Sequence, residues 1–204
     1  MNNCIIINGQ EIELTREQIG KIVAAHQASN TPLSEIPVSS TFKIDDYEFV
    51  VLEQCGVSTT VILKDMLPDT TAFSKSNNRY DGSYADQSCS AFAEELEKII
   101  GADNLLVRSV DLTADDGLKD YGRIDRKVSL LTADEYRSYV DILDKHKPKK
   151  WWWLATPHST ATHGNDRWVK CVSPSGYISK DDYDYDDYGF RPFCILKSNI
   201  FVSK

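Results

Sequence analysis

Trp151-Trp152-Trp153, followed by Trp168, places all four tryptophans of the chain within a stretch of 18 residues. Successive residues of a strand point to opposite faces, so Trp151 and Trp153 would share one side and Trp152 the other. Rigid core packing beneath a loop-rich surface accounts for such a cluster, and a sugar-stacking platform is the functional alternative.

The elements before this strand follow from local patterns. Cys4–Ile7 reads as a short strand, turned by Asn8-Gly9 into Glu11–Leu14. Thr15 then caps a helix with Gln18 in the box position, and Ile19, Ile22 and Val23 form its apolar stripe. From Ala28 to Thr41 the chain turns polar, with Pro32 and Pro37 breaking any period. Residues 1–40 are therefore expected as a small hairpin-and-helix appendage, and 41–204 as the main domain. Phe42, Ile44, Tyr47, Phe49 and Val51 alternate about an Asp45-Asp46 turn, and Cys55-Gly56-Val57-Ser58 leads into a strand over Thr59–Leu63.

Residues 68–86 have no periodicity and read as a long loop. A helix is expected from about Gln87, burying Cys89, Phe92, Leu96, Ile99 and Ile100 and stopping at Gly101. Strands over Leu105–Leu112 and Lys127–Leu131 flank a polar excursion, Ala114–Tyr121. Thr132, with Glu135 in the box position, opens a helix that buries Tyr136, Tyr139, Val140 and Leu143 and ends at Pro148. The last quarter is strand-rich, over Trp151–Ala155, Trp168–Val172, Tyr177–Ser179 and Phe193–Leu196. This order of elements is α+β.

Lys and Arg total 23 against 31 Asp and Glu, a formal charge of −8. A chain this acidic is repelled by phosphate backbones unless its bases cluster. Lys145–Lys150 is the one basic run and reads as a solvated helix end, so no direct nucleic-acid binding is expected. No apolar run approaches the roughly 20 residues of a membrane helix, and Met1–Cys4 shows no basic stretch ahead of a greasy one. A cytoplasmic protein without a signal peptide or membrane contact is the expectation. The five cysteines are widely spaced with no Cys-x-x-Cys pair and read as reduced, mostly core residues.

Nucleophile elbows and phosphate-cradling glycine loops are missing from the sequence. His158 and His163 flank Ser-Thr-Ala-Thr near Asp166, a spacing that suits a metal pair on neither a helix nor a strand. Both read as exposed loop residues. Asp181 to Tyr188 is the most unusual segment: five carboxylates in seven residues cannot be buried without partners. Tyr183, Tyr185 and Tyr188, interleaved with them, supply broad amphipathic contact area at small entropic cost. The mix is that of a recognition surface. Calcium is a competing ligand, but the Asp-x-Asp-x-Asp-Gly spacing and the terminal bidentate Glu are absent. A solvated loop with no ligand is the plain alternative. No metal and no cofactor are expected.

Trp152-Trp153-Leu154-Ala155-Thr156, then Trp168 through Gly176, then Gly189-Phe190-Arg191-Pro192-Phe193 together resemble the signature of a domain family of unknown function, numbered 6273. That family is frequent in phages, prophages and gut Firmicutes. It is similar in turn to the C-type-lectin-like fold of formylglycine-generating sulfatase modifiers and of the variable proteins of diversity-generating retroelements. The motif covers about residues 150–197, and looser similarity about 42–197. Ala155 and Thr156 stand where the family has arginine and serine, and the modifiers' copper or iron constellation has no counterpart here.

The resemblance implies an α+β, C-type-lectin-like domain, with a mostly antiparallel sheet, two flanking helices and a loop-rich C-terminal half, and no catalysis. It assigns Trp152, Trp153, Trp168, Gly189, Arg191 and Pro192 to the framework, with Arg191 on a buried carboxylate or on strand carbonyls. It brings the loops His158–Arg167 and Tyr177–Tyr188 together on one exposed face, the region that adenine-directed mutagenesis diversifies in the variable proteins. The ligand-binding residues would be His158, Thr160, His163, Asn165, Asp166, Tyr177, Asp181, Asp182, Tyr183, Asp184, Tyr185, Asp186, Asp187 and Tyr188. A protein ligand is the expected partner, with a glycan second. Two further functions stay open. One is a phage or mobile-element inhibitor of a host defence nuclease, its carboxylates imitating phosphates. The other is a virion component, with residues 1–40 as an anchor through which oligomers could also form.

Overall fold

A computed structural model describes residues 4–7, 10–21, 31–68 and 71–203. The expected hairpin is formed by β1 (Cys4–Ile7) and β2 (Gln10–Glu13), antiparallel, and residues 16–21 are helical (α1). Gln18 N–H donates to Thr15 Oγ1 at 3.2 Å and Thr15 N–H to Gln18 Oε1 at 2.9 Å, which closes the capping box. Ile19 is half-buried; Ile22 and Val23, like Asn8-Gly9, lie outside the described residues.

The stretch expected as a linker is part of the main body from Thr31 onward. There β3 (Thr31–Pro32) pairs with β15 (Phe201–Val202), and Leu33 and Ile36 are fully buried. Gln54 Nε2 holds the carbonyls of both, at 2.9 and 3.1 Å. Two apolar residues spaced three apart between prolines are a short signal, and their burial depends on a glutamine from a distant strand.

The meander forms as expected: β4 (Thr41–Ile44), β5 (Tyr47–Cys55) and β6 (Ser58–Leu63) run antiparallel. Asp45 takes a left-handed conformation in the first turn (φ 52°) and Gly56 in the second (φ 58°). Across the other edge of β6 lies β14 (Phe193–Lys197), whose far edge is shared by β10 (Val128–Ser129) and β7 (Leu105–Leu106). Period-2 alternation sends Phe49, Val51, Val61 and Leu63 into one core and Val50, Leu52 and Ile62 into another. Both faces of this sheet are thus covered, which is why β5 reads as a continuous Phe-Val-Val-Leu run.

Helix α2 (Tyr84–Ile100) packs on the first face. It begins three residues earlier than expected, because Ser83 is the N-cap: its Oγ accepts from Asp86 N–H at 3.1 Å. Cys89, Phe92 and Leu96 are buried, whereas Ile99 turns outward. On the other face sit α3 (Ala133–Ser138) and α4 (Val140–Leu143), split at Tyr139 (φ −110°, ψ 12°), with the Thr132/Glu135 capping box in place. Tyr136 and Leu143 are buried, and Tyr139 and Val140 half-buried.

Two strand expectations change. The strand expected over Leu105–Leu112 is broken at exposed Val107 into β7 and β8 (Arg108–Asp111), and β8 pairs with β9 (Arg123–Arg126), which carried no sequence signal. The one expected over Lys127–Leu131 shrinks to β10. A separate three-stranded antiparallel sheet holds β11 (Trp152–Pro157), β12 (Trp168–Val172) and β13 (Ile178–Asp182). The chain is α+β with antiparallel sheets, and no described helix is long and apolar enough to cross a membrane.

Candidate functional site

β11 divides its tryptophans between the two cores, Trp153 facing Phe73 and Trp152 facing Tyr136, and both are fully buried. On β12 the alternation buries Val169 and Cys171 and turns Trp168 and Lys170 the other way. The register sets Trp168 opposite Asp182 and Lys170 opposite Lys180. Trp168 is therefore not the core residue expected of it: it is 36% exposed, at the open end of the sheet. Like charges directly opposite each other destabilise a strand pair, so each lysine needs its own partner. Buried Lys170 takes Asp115, 3.1 Å away. Lys180 lies 3.7 Å over the Trp168 ring and 2.8 Å from His158 Nε2.

The loop from His158 to Arg167 is fastened from beneath. Asn78, fully buried, donates through Nδ2 to the carbonyls of Ser159 and Trp168, each at 2.9 Å, while its Oδ1 accepts from Tyr121 at 2.8 Å. Its backbone N–H reaches Asp166 O at 2.8 Å. Asp116 Oδ2 accepts from Ser159 Oγ at 2.6 Å and meets His163 Nδ1 at 2.9 Å. These two contacts, the serine's first, hold the carboxyl down at about 2. Thr160 is fully buried with its hydroxyl on Asp120, so it faces inward and leaves the expected ligand set. Asn165 is half-buried, and His163 and Asp166 are exposed.

The acidic segment joins this loop over its first part. Arg167 Nε lies 2.7 Å from Asp182 Oδ1 and its Nη2 donates to Oδ2 at 3.0 Å, which keeps that carboxyl below its ordinary range. Tyr183 N–H donates to Arg167 O at 3.0 Å, and Ser74 N–H to Tyr183 O at 3.1 Å. Strand β13 consequently runs to Asp182, three residues beyond the expected Ser179. Asp184, Tyr185, Asp186 and Asp187 are exposed.

Two further members of the expected ligand set lie elsewhere. Tyr188 is 8% exposed: its ring stacks on Trp151 and packs on Trp153, and its hydroxyl donates to half-buried Asp181 at 2.8 Å. Burial, then this carboxylate, push its phenol well above the usual range. Tyr177 is exposed but stands at the opposite end of β13, roughly 16 Å away along the strand. Its backbone closes the Ser173–Tyr177 turn.

The remaining residues assigned to the framework, Gly189, Arg191 and Pro192, are buried. Arg191 is fully buried and uses carbonyls rather than a carboxylate, donating to Leu63 O at 2.8 Å, Lys64 O at 3.0 Å and His146 O at 2.9 Å. Burial lowers its pKa to about 10, so it stays a cation at neutral pH. Pro192 is buried, its carbonyl accepting from Leu63 N–H. Gly189 N–H donates to Trp151 O and its carbonyl accepts from Trp153 N–H, both at 3.0 Å.

Chemically, the arrangement clamps and displays. Ser159 and His163 share one carboxylate oxygen instead of bonding each other, the wrong order for activating a hydroxyl. Among the described residues no group of three His, Cys, Asp or Glu side chains could hold a metal ion. Asn78, Ser74, Asp116 and Asp120 were not singled out in the sequence. Asn77-Asn78 falls there in the stretch 68–86 that reads as a long loop, and nothing local signals an amide aimed inward. Compared with protein-family models, curated proteins and solved structures, the chain matches none.

Proposed function

We propose that this chain is a non-catalytic ligand-binding module with a C-type-lectin-like scaffold, and that its contact face is built from Arg167, Trp168, Lys180, Asp182, Asp184 and Tyr185, with Asp186 and Asp187 beside them and His158, His163 and Asp166 on the flank. The two larger antiparallel sheets, the flanking helices α2 and α3–α4 and the buried Trp-Trp strand support the scaffold. The observation that carries the binding face is the clamp beneath it. Asn78 and Ser74 fix both loops by their backbones, so the outward side chains engage one another on a fixed frame and stay at the surface. A rigid surface with an indole, a phenol and carboxylates loses little entropy on binding and suits a protein epitope, with a glycan as the second ligand class.

The test compares the wild type with Trp168→Ala/Tyr185→Ala, both exposed positions, on a displayed protein-fragment library and on a glycan array. Ligands enriched by the wild type should lose at least about tenfold in affinity with the double variant, the scale of one lost hot-spot contact. Ligands that bind both proteins equally, or no ligand on either panel, would overturn the assignment.

A further inference from the structure

Lys180 Nζ stands 2.8 Å from His158 Nε2. An ammonium group only donates, so this ring nitrogen must carry the free lone pair, and the imidazole is neutral with its proton on Nδ1. That Nδ1 is buried without a hydrogen-bond partner, 3.8 Å from the Asp115 carboxylate and too far to bond it. Held by this acceptor, the ammonium lies 3.7 Å from the Trp168 ring centroid. Lys180 has no carboxylate within ion-pair distance among the described residues. The indole that is most exposed on the proposed face is therefore occupied by a side chain of the same molecule.

The geometry points to a proton-operated latch: neutral His158 holds the Lys180 ammonium on the Trp168 indole, and protonation of His158 releases it and bares the ring. Once Nε2 carries a proton, two donors of like charge face each other across a hydrogen-bond distance, and the longer, exposed lysine is the one able to swing away. The charged groups that face His158 are Lys180 from β13, Lys170 from β12, and Asp115 and Asp116 from the loop after β8. Burial first, and then the two lysines, place its titration below the ordinary imidazole value, with the two aspartates opposing. The protonated ring gains Asp115, which already neutralises Lys170. Because Asn78 pins the backbone on both sides of the loop, the change is confined to side chains. Any effect on ligand binding rests on the reading above, in which Trp168 is a contact; the latch itself does not.

NMR of protein labelled with 15N at tryptophan and 13C at histidine, followed from pH ~8 to ~5, reads both halves of the device. The Trp168 indole signal, identified by its loss in Trp168→Phe, should move with the same midpoint as the His158 ring, below about 6.5. That movement should vanish in His158→Gln, which keeps a neutral acceptor, and shrink in Lys180→Met, where only the charge of the His158 ring, 5.8 Å away between centroids, still acts; an undiminished shift in Lys180→Met overturns the latch. A Trp168 signal that stays still while His158 titrates overturns the latch. So does one that moves equally in His158→Gln, or an imidazole that stays neutral throughout. None of these outcomes bears on the binding assignment, which Trp168→Ala tests at a fixed pH.

Discussion

Tyr188 lies flat on Trp151, their ring centroids 5.4 Å apart and their planes 9° from parallel. The tyrosine closes an acidic segment whose composition is wholly that of a surface, yet it turns inward against Trp151 and Trp153 and spends its hydroxyl on Asp181. Replacing it by alanine empties a packed aromatic site, and the expected cost is about 3 kcal/mol or more. Tyr185→Ala removes only the outer ring of the pair, edge-on to Tyr188 at 4.8 Å between centroids, and should cost no more than about 1.5 kcal/mol. Urea denaturation of the two variants decides the matter; equal midpoints would place Tyr188 on the surface after all.

Asn78 holds two carbonyls nine residues apart in sequence, those of Ser159 and Trp168, with one amide nitrogen. Asn78→Ala leaves both buried acceptors short of a donor, and a loss of about 2 kcal/mol or more is expected. Asn78→Asp should be at least as harmful, since a carboxylate offers the carbonyls only repulsion. Faster amide hydrogen exchange through residues 158–168 in Asn78→Ala is the local signature. Unchanged exchange would show that the loop is held by other means.

What was legible in the sequence was what short-range periodicity and caps decide. The meander from Thr41 to Leu63, the Thr15/Gln18 and Thr132/Glu135 boxes and the bounds of β12 fall where alternation and capping chemistry put them. What was not legible depended on partners far along the chain. Trp168 and Tyr188 exchange their expected places, the indole outside and the phenol inside. The choice between a strand's faces at the end of a sheet is made by what covers them, here Lys180 for one and Trp151 for the other. Similarly, β13 runs into the acidic segment, where Arg167 from the neighbouring loop neutralises Asp182. The contact loops themselves were marked by their composition, and the buried amide that makes them rigid was not.

Gly189 is required by its neighbour rather than by its backbone angles. A Cβ built there would meet Met66 Sδ at 2.1 Å and Cγ at 2.9 Å, while both peptide groups of the glycine are tied to Trp151 and Trp153. Gly189→Ala is expected to destabilise by about 1–3 kcal/mol, as overpacking does. Adding Met66→Ala should recover part of that loss, so the double variant is more stable than the sum of the single changes predicts. Strict additivity in a thermodynamic cycle would mean that the methionine is not what excludes the side chain.

The acid limb of the stability curve should report the Asp116 clamp. Hydrogen bonds from Ser159 and then His163 hold this carboxyl at about 2, below its ordinary 3.8. A carboxyl depressed by folding contributes stability that is present above the unfolded value and lost as the pH falls through the folded one. The gap between the wild type and Asp116→Asn should therefore be widest above pH ~4 and close towards pH ~2. His158, whose value is also lowered, contributes in a different window: its stabilisation is present above about 6.5 and is lost as the pH drops below that. His158→Gln should flatten only this upper step, leaving the acid limb intact. Denaturation midpoints measured from pH ~8 to ~2 separate the two, and a gap to Asp116→Asn that persists unchanged at the acid end would show that the carboxyl is not held by the folded loop.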